Sequence, residues 1–209
     1  MGIENFLTFV VTAVFFIITP GIDTVFVLNK SISQGKKAGI YSTLGINSGI
    51  LAHTVFAALG LSVIVAKSAV LFMLVKYVGA AYLIYLGIAK LITRKGTVAT
   101  RSTEPHRKTS GQNYFSGLVT NILNPKVALF FIAFFPQFID PAQLQNPLPF
   151  ILLGITFALM GTAWLLILTF FAGTFSKKFT EHPKIDHWLN KFSGAVFIAM
   201  GLKIAFGKK

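Results

Sequence analysis

An aspartate sits inside an apolar run: residues 15–24 read FFIITPGIDT, which sets Asp23 three residues after Pro20. At the centre of a bilayer such a carboxylate costs about 2.5–3.5 kcal/mol. It is therefore expected to face a cavity or a partner. A lysine has a similar position, Lys126 in the run NILNPKVALFF, directly after Asn124 and Pro125. Three roles are open to the pair. Asp23 and Lys126 can bind each other, Asp23 can bind a substrate amine, or Asp23 can carry a coupling proton.

Both charged residues lie beside a helix breaker. Proline lacks an N–H and its ring displaces the carbonyl four residues earlier, so Pro20 frees that of Phe16 and Pro125 frees that of Asn121. Proline also suits the first turn of a new helix, with Thr19 and Asn124 as good caps in front of it. Thr19-Pro20-Gly21 and Asn124-Pro125-Lys126 thus predict two helices that stop and restart. Restarted helices offer N–H groups and the positive end of a dipole to a carboxylate, while unwound carbonyls accept from an ammonium. One pocket of this kind suits both ends of a zwitterion.

His53 shares a face with Gly45 and Gly49, each four residues from the next. Small residues at that spacing let helices approach closely and turn His53 inward, as a packing residue or a proton carrier. Gln137, after Pro136, falls at the outer end of the same span as Lys126, as an exit or interface residue. The 22 phenylalanines read as lipid-facing and core mass, not as a ligand box. With no cysteine, thiolate metal sites and dithiol relays are excluded. No nucleophile–base pair, metal cluster or phosphate loop is present, so neither an enzyme, a bound cofactor nor direct use of ATP is expected, and an ion gradient is left as the energy source. Divalent-metal export would want several ligands inside the spans, where only Asp23 and His53 qualify. A membrane partner protein that transports nothing is the other alternative, and it predicts no pocket at the breaks.

The elements that must hold these residues are membrane helices. The 209 residues are 54% hydrophobic and 12% charged, and the apolar residues fall in continuous runs near 5–28, 40–64, 69–89, 114–136, 148–173 and 188–206, without the alternation of a β-barrel. The fold class expected is an all-α membrane protein with six transmembrane helices, the first and fourth broken near the midplane. Residues 94–113 are polar and Ser/Thr-rich and read as a cytoplasmic connector between halves 1–93 and 114–209 of a single transporter domain. Three spans per half make any repeat inverted. A shift of 105 residues lays Pro20 on Pro125, Phe26 on Phe131 and Gly49 on Gly154. The excess of 19 basic over 6 acidic residues lies between the runs, which points to topology and lipid headgroups and not to nucleic acid. With the N-terminus outside, 13 basic residues fall inside and 5 outside, so both termini are expected to be periplasmic. Glycine-rich faces permit a homodimer.

The segments TPGID, GINSGILAHTVFAALGL, KYVGAAYLIYLG, GLVTNILNPKVALFFIAFFPQF and SGAVFIAMGLKIAF resemble, in this order, the LysE/RhtB family of amino-acid exporters. The resemblance covers nearly all of the chain outside the connector. It implies a protein of the bacterial inner membrane that exports amino acids or derivatives in exchange for protons, the substrate being threonine-, homoserine- or leucine-like. Many relatives have a second proline where this chain has Ile22. That difference bears on the shape of the break and leaves Asp23 in place.

The lack of native cysteine makes the topology easy to test. A single cysteine at Ser102 should react with a membrane-impermeant maleimide only after permeabilisation, and one at Lys209 should react in intact spheroplasts. The opposite pattern inverts the orientation.

Overall fold

The structure is a computed structural model and describes residues 2–61, 69–92, 109–172, 174 and 183–206. The described residues form eight α-helices and no strand: α1 (Phe6–Ile18), α2 (Ile22–Gln34), α3 (Lys36–Phe56), α4 (Ala69–Ile92), α5 (Ser110–Ile122), α6 (Pro125–Leu129), α7 (Pro147–Phe170) and α8 (Pro183–Phe206). A π-helical turn, Ala57–Leu61, prolongs α3. Another, Phe130–Phe134, carries α6 into the 3₁₀ turn Phe135–Phe138.

Two helices are individually long and apolar enough to cross a membrane, Lys36–Gly60 and Pro147–Phe170. Two bent pairs meet the same test when each is taken as one span. Phe6–Ile18 and Ile22–Gln34 bend by 51°, and Ser110–Ile122 and Pro125–Phe138 by 48°. The bends fall at Pro20 and Pro125, the two breaks expected from the sequence. Helices α4 and α8 run 24 residues each. The chain is thus a multi-pass helical membrane protein.

The two breaks are built differently in detail. At the second, Asn124 caps α6 as expected, its side chain accepting from the Lys126 N–H at 3.0 Å with Pro125 in the first turn. At the first, Thr19 ends α1 instead of starting α2, and its hydroxyl bonds back to the Phe15 carbonyl at 2.7 Å. The new helix starts three residues later, at Ile22, from an extended Gly21 with no side-chain cap. Pro20 therefore lies in the gap and not in a first helical turn. The hydroxyl of Thr19 is already used inside α1 and cannot also cap α2.

The connector is shorter than expected, because α5 starts at Ser110. Thr109 and Gln112 form a reciprocal capping box there, with Thr109 N–H donating to Gln112 Oε1 at 2.8 Å and Gln112 N–H donating to Thr109 Oγ1 at 3.3 Å. The rest of the expected connector, 94–108, lies outside the described residues. Gly35, at a φ of +88°, makes the turn between α2 and α3, a conformation open to glycine.

Helix α3 packs against α5 and α7, and α4 against α8. Glycines set the closest approaches. A Cβ on Gly45 would run into the Tyr114 carbonyl of α5, and one on Gly49 into the Asn121 side chain. Gly87 of α4 and Gly194 of α8 face each other in the same way. These glycine faces are used within the chain. Beneath the breaks lies an aromatic core, with Phe16 and Phe130 centroids 4.0 Å apart and Phe131 and Phe135 4.2 Å apart. At the far end the chain start is tied to the end of the broken pair. Ile3 bridges Ile139, Glu4 N–H donates to the Phe138 carbonyl at 2.7 Å, and Asp140 N–H donates to the Gly2 carbonyl at 3.0 Å.

Gly45→Ala should destabilise by about 1–3 kcal/mol, because backbone and not a flexible side chain must yield. Gly111→Ala meets nothing within 4 Å and should leave the unfolding temperature in detergent unchanged. Equal behaviour of the two variants would refute close packing of α3 on α5.

Candidate functional site

The two prolines leave two carbonyls without their helical donors, and the structure shows where both go. The Phe16 carbonyl accepts from Lys126 Nζ at 2.9 Å, and the same ammonium donates to the Thr19 carbonyl at 3.1 Å. The Asn121 carbonyl meets His53 Nε2 at 3.1 Å, and since a carbonyl only accepts, Nε2 carries the proton. The Phe16 carbonyl is thus satisfied by a side chain from the other half of the sequence, while the Asn121 carbonyl accepts both from His53 and, at 3.0 Å, from the Asn124 N–H of its own half.

Asp23 stands between these contacts, in the first turn of α2, where the helix dipole favours a carboxylate. Its Oδ2 accepts from Asn121 Nδ2 at 2.8 Å. One residue of α5 therefore holds both the carboxylate of α2 and the imidazole of α3, forming a chain Asp23–Asn121–His53. His53 also stacks on Phe131, at 5.9 Å between ring centres. The other oxygen of Asp23, Oδ1, is buried and has no hydrogen-bond partner, and the same is true of Asn121 Oδ1. Unpartnered buried acceptors of this kind call for a proton, a water or a ligand.

Lys126 is half-buried. Besides its two carbonyls, its ammonium lies 4.2 Å from the centre of the Phe16 ring and 5.5 Å from that of Phe197. Its hydrogen bonds go to the broken end of α1 and not to Asp23. The third carbonyl of that end, on Pro20, accepts from Lys90 Nζ of α4 at 3.0 Å. Two lysines from two other helices thus close the broken, buried C-terminal end of α1, where the dipole favours cations.

Two cavities meet here. The smaller, about 40 Å³, has room for a few waters and is lined by Asp23, Thr24, Thr19, Phe157 and Trp164 among others. The larger, about 560 Å³, is lined by Ile22, Val25, Phe26, Tyr82, Leu86 and Lys90 among others, and its volume is that of a small-molecule pocket. Gly21, Asn124 and Lys126 line both and form the partition between them.

Of the residues singled out from the sequence, the structure brings together Thr19, Pro20, Gly21, Asp23, His53, Asn121, Asn124, Pro125 and Lys126. Gly45 and Gly49 shape the α3–α5 contact, and Gly49 acts on the site through Asn121. Gln137 lies in the Phe135–Phe138 turn and lines neither cavity. The phenylalanines do more than fill space, since Phe16, Phe157 and Phe197 wall the cavities. Lys90 and Tyr82 were not singled out. In sequence Lys90 resembles any cation at the end of a span, and only the fold-back of α4 onto the break reveals its partner. Among the described residues no group of three or more metal-ligating side chains occurs.

A multi-pass helical membrane protein with a polar site between two helix breaks has the build of a carrier. A family model, the LysE type translocator, matches residues 14–208, and the chain belongs to that family. It is 34% identical over 210 residues to the uncharacterized membrane protein YrhP of Bacillus subtilis, covering 96% of this chain and 98% of that one. It is 33% identical over 208 residues to an uncharacterized membrane protein of Vibrio cholerae, the full length of both. It is 30% identical over 207 residues to the leucine efflux protein of Salmonella typhimurium, covering 98% of this chain and 96% of that one. No solved structure matches the chain.

Asn121→Ala removes the Asp23 donor and opens space beside Gly49. It should cost about 1–3 kcal/mol in thermal unfolding. An unchanged unfolding temperature would mean that the Asp23–Asn121 bond carries no stability.

Proposed function

We propose that this protein is a secondary transporter that exports neutral amino acids, leucine-like ones among them, across the bacterial inner membrane in exchange for protons. The observation that carries the proposal is a buried aspartate with one unpartnered oxygen, set between Lys126 at the freed Phe16 carbonyl and His53 at the Asn121 carbonyl. A structural kink needs no carboxylate in it, whereas a proton-coupled carrier needs one that can gain and lose a proton near the substrate. The leucine efflux relative and the apolar walls of the larger cavity, Ile22, Val25, Phe26 and Leu86, favour an apolar side chain.

In this mechanism six spans form a 3+3 inverted repeat and work as one unit. With the N-terminus outside, α2 and the Lys90 end of α4 occupy the cytoplasmic half. The larger cavity is then the loading side for export, and Gly21, Asn124 and Lys126 separate it from Asp23. Asp23 takes the incoming proton, with Asn121 and His53 fixing its orientation. Protonation removes its charge and weakens its hold on Asn121, which loosens α2 from α5 and lets the partition move. Gln137, near the outer end of the fourth span, is a residue of the exit path. Lipid headgroups pair with the cytoplasmic basic residues, and a homodimer is compatible with the faces left outside these contacts.

Inside-out vesicles with an imposed proton gradient test this mechanism. Wild-type protein should accumulate radiolabelled leucine when the gradient is formed and lose that uptake when it is collapsed. Asp23→Asn, which keeps the Asn121 contact but cannot exchange a proton, should lower gradient-driven uptake at least about tenfold. Undiminished uptake in that variant would remove Asp23 from the coupling.

A further inference from the structure

The Lys126 ammonium sits in a fully formed cation seat. Two carbonyl oxygens, of Phe16 and Thr19, lie at 2.9 and 3.1 Å, the Phe16 ring centre at 4.2 Å and that of Phe197 at 5.5 Å. The lysine packs over Gly21, where a Cβ would stand in ordinary van der Waals contact with Lys126 Cδ and Nζ at 3.4 Å. Nothing in this seat recognises a lysine as such. Its geometry is that of a receptor for any primary ammonium, with carbonyls for two N–H groups and aromatic faces for the charge. The lysine reaches it across the partition, with a cavity of about 560 Å³ alongside into which its flexible side chain can swing.

We propose that this seat is the site for the primary ammonium group of the zwitterionic substrate, and that Lys126 is a tethered ligand which holds the seat until substrate displaces it. The exchange is balanced in charge. The substrate ammonium replaces the lysine ammonium at the Phe16 and Thr19 carbonyls, and the displaced lysine pairs with the substrate carboxylate. No bond is made or broken. An amine without a carboxylate gives the displaced lysine no partner, so α-amino acids are selected over simple amines. An α-hydroxy acid cannot fill the seat with a charge. This inference rests on the transport function proposed above only in naming the substrate; the seat itself is tested without transport.

Emptying the seat gives the test. Purified Lys126→Ala should be stabilised by n-propylammonium, by about 3–5 °C at tenfold excess over its Kd. Tetramethylammonium, which has no N–H to donate, should do nothing. The wild type should not respond to either, because its own tethered ammonium holds the seat at a high effective concentration. Lys126→Met keeps most of the stem and vacates only the ammonium position, and it should be stabilised by ammonium ion. Leucine should compete with propylammonium for the Lys126→Ala seat. Recovery of Lys126→Ala only when cells are grown with propylammonium would also support the seat. If neither variant shows a shift specific to N–H cations, the site is refuted, even where leucine transport by the wild type persists. If the shifts appear and no amino acid is transported or competes, the seat stands as a cation site, while the substrate assignment and the transport function both fall.

Discussion

A helix interrupted inside a membrane must satisfy its orphaned carbonyls from within the protein, because no water is there to do so. Much of the described site follows from that constraint. Pro20 and Pro125 each release one carbonyl, and each is met by a polar side chain from across the molecule, Lys126 in one case and His53 in the other. Both contacts cross between the halves of the sequence; the Phe16 carbonyl depends on its cross-contact, while the Asn121 carbonyl also accepts from the Asn124 N–H at 3.0 Å. The polar site and the joint between the halves are therefore the same set of atoms.

That set is held by apolar surroundings that leave little freedom. The approach of α3 to α5 at Gly45 and Gly49 sets Asn121 where it can reach both Asp23 and His53. The ring of Phe16 supports Lys126 from one side while stacking on Phe130 from the other. The partition of Gly21, Asn124 and Lys126 combines a residue with no side chain, a helix cap and a flexible cation. Two of the three hold backbone geometry, and the third closes the broken end of α1 with its ammonium.

Much of this arrangement was legible in the residues, because proline acts on the backbone in a way that needs no tertiary context. The positions of both breaks, the two freed carbonyls and the Asn124 cap follow from chain chemistry alone. What failed was anything set by distance in space. Thr19 has the composition of an N-cap, yet its hydroxyl bonds back within α1, and the restart slips to Ile22. Asp23 and Lys126 reach one cavity as the pseudosymmetry implied, but other groups take up their hydrogen bonds, and Asn121 was expected only as a bearer of a free carbonyl. Lys90 is indistinguishable in sequence from an interfacial lysine. The end of the connector was misplaced because Thr109 and Gln112 are polar residues of a cap and not of a loop.

The short antiparallel bridge at the start of the chain has a mechanical meaning. Residues 2–4 are stitched by backbone bonds to residues 138–140, at the end of the second bent pair. The start of α1 and the end of the second bent pair are thereby coupled like two arms on one hinge pin. A change of angle at either proline joint would therefore be passed through these backbone bonds to the other bent pair.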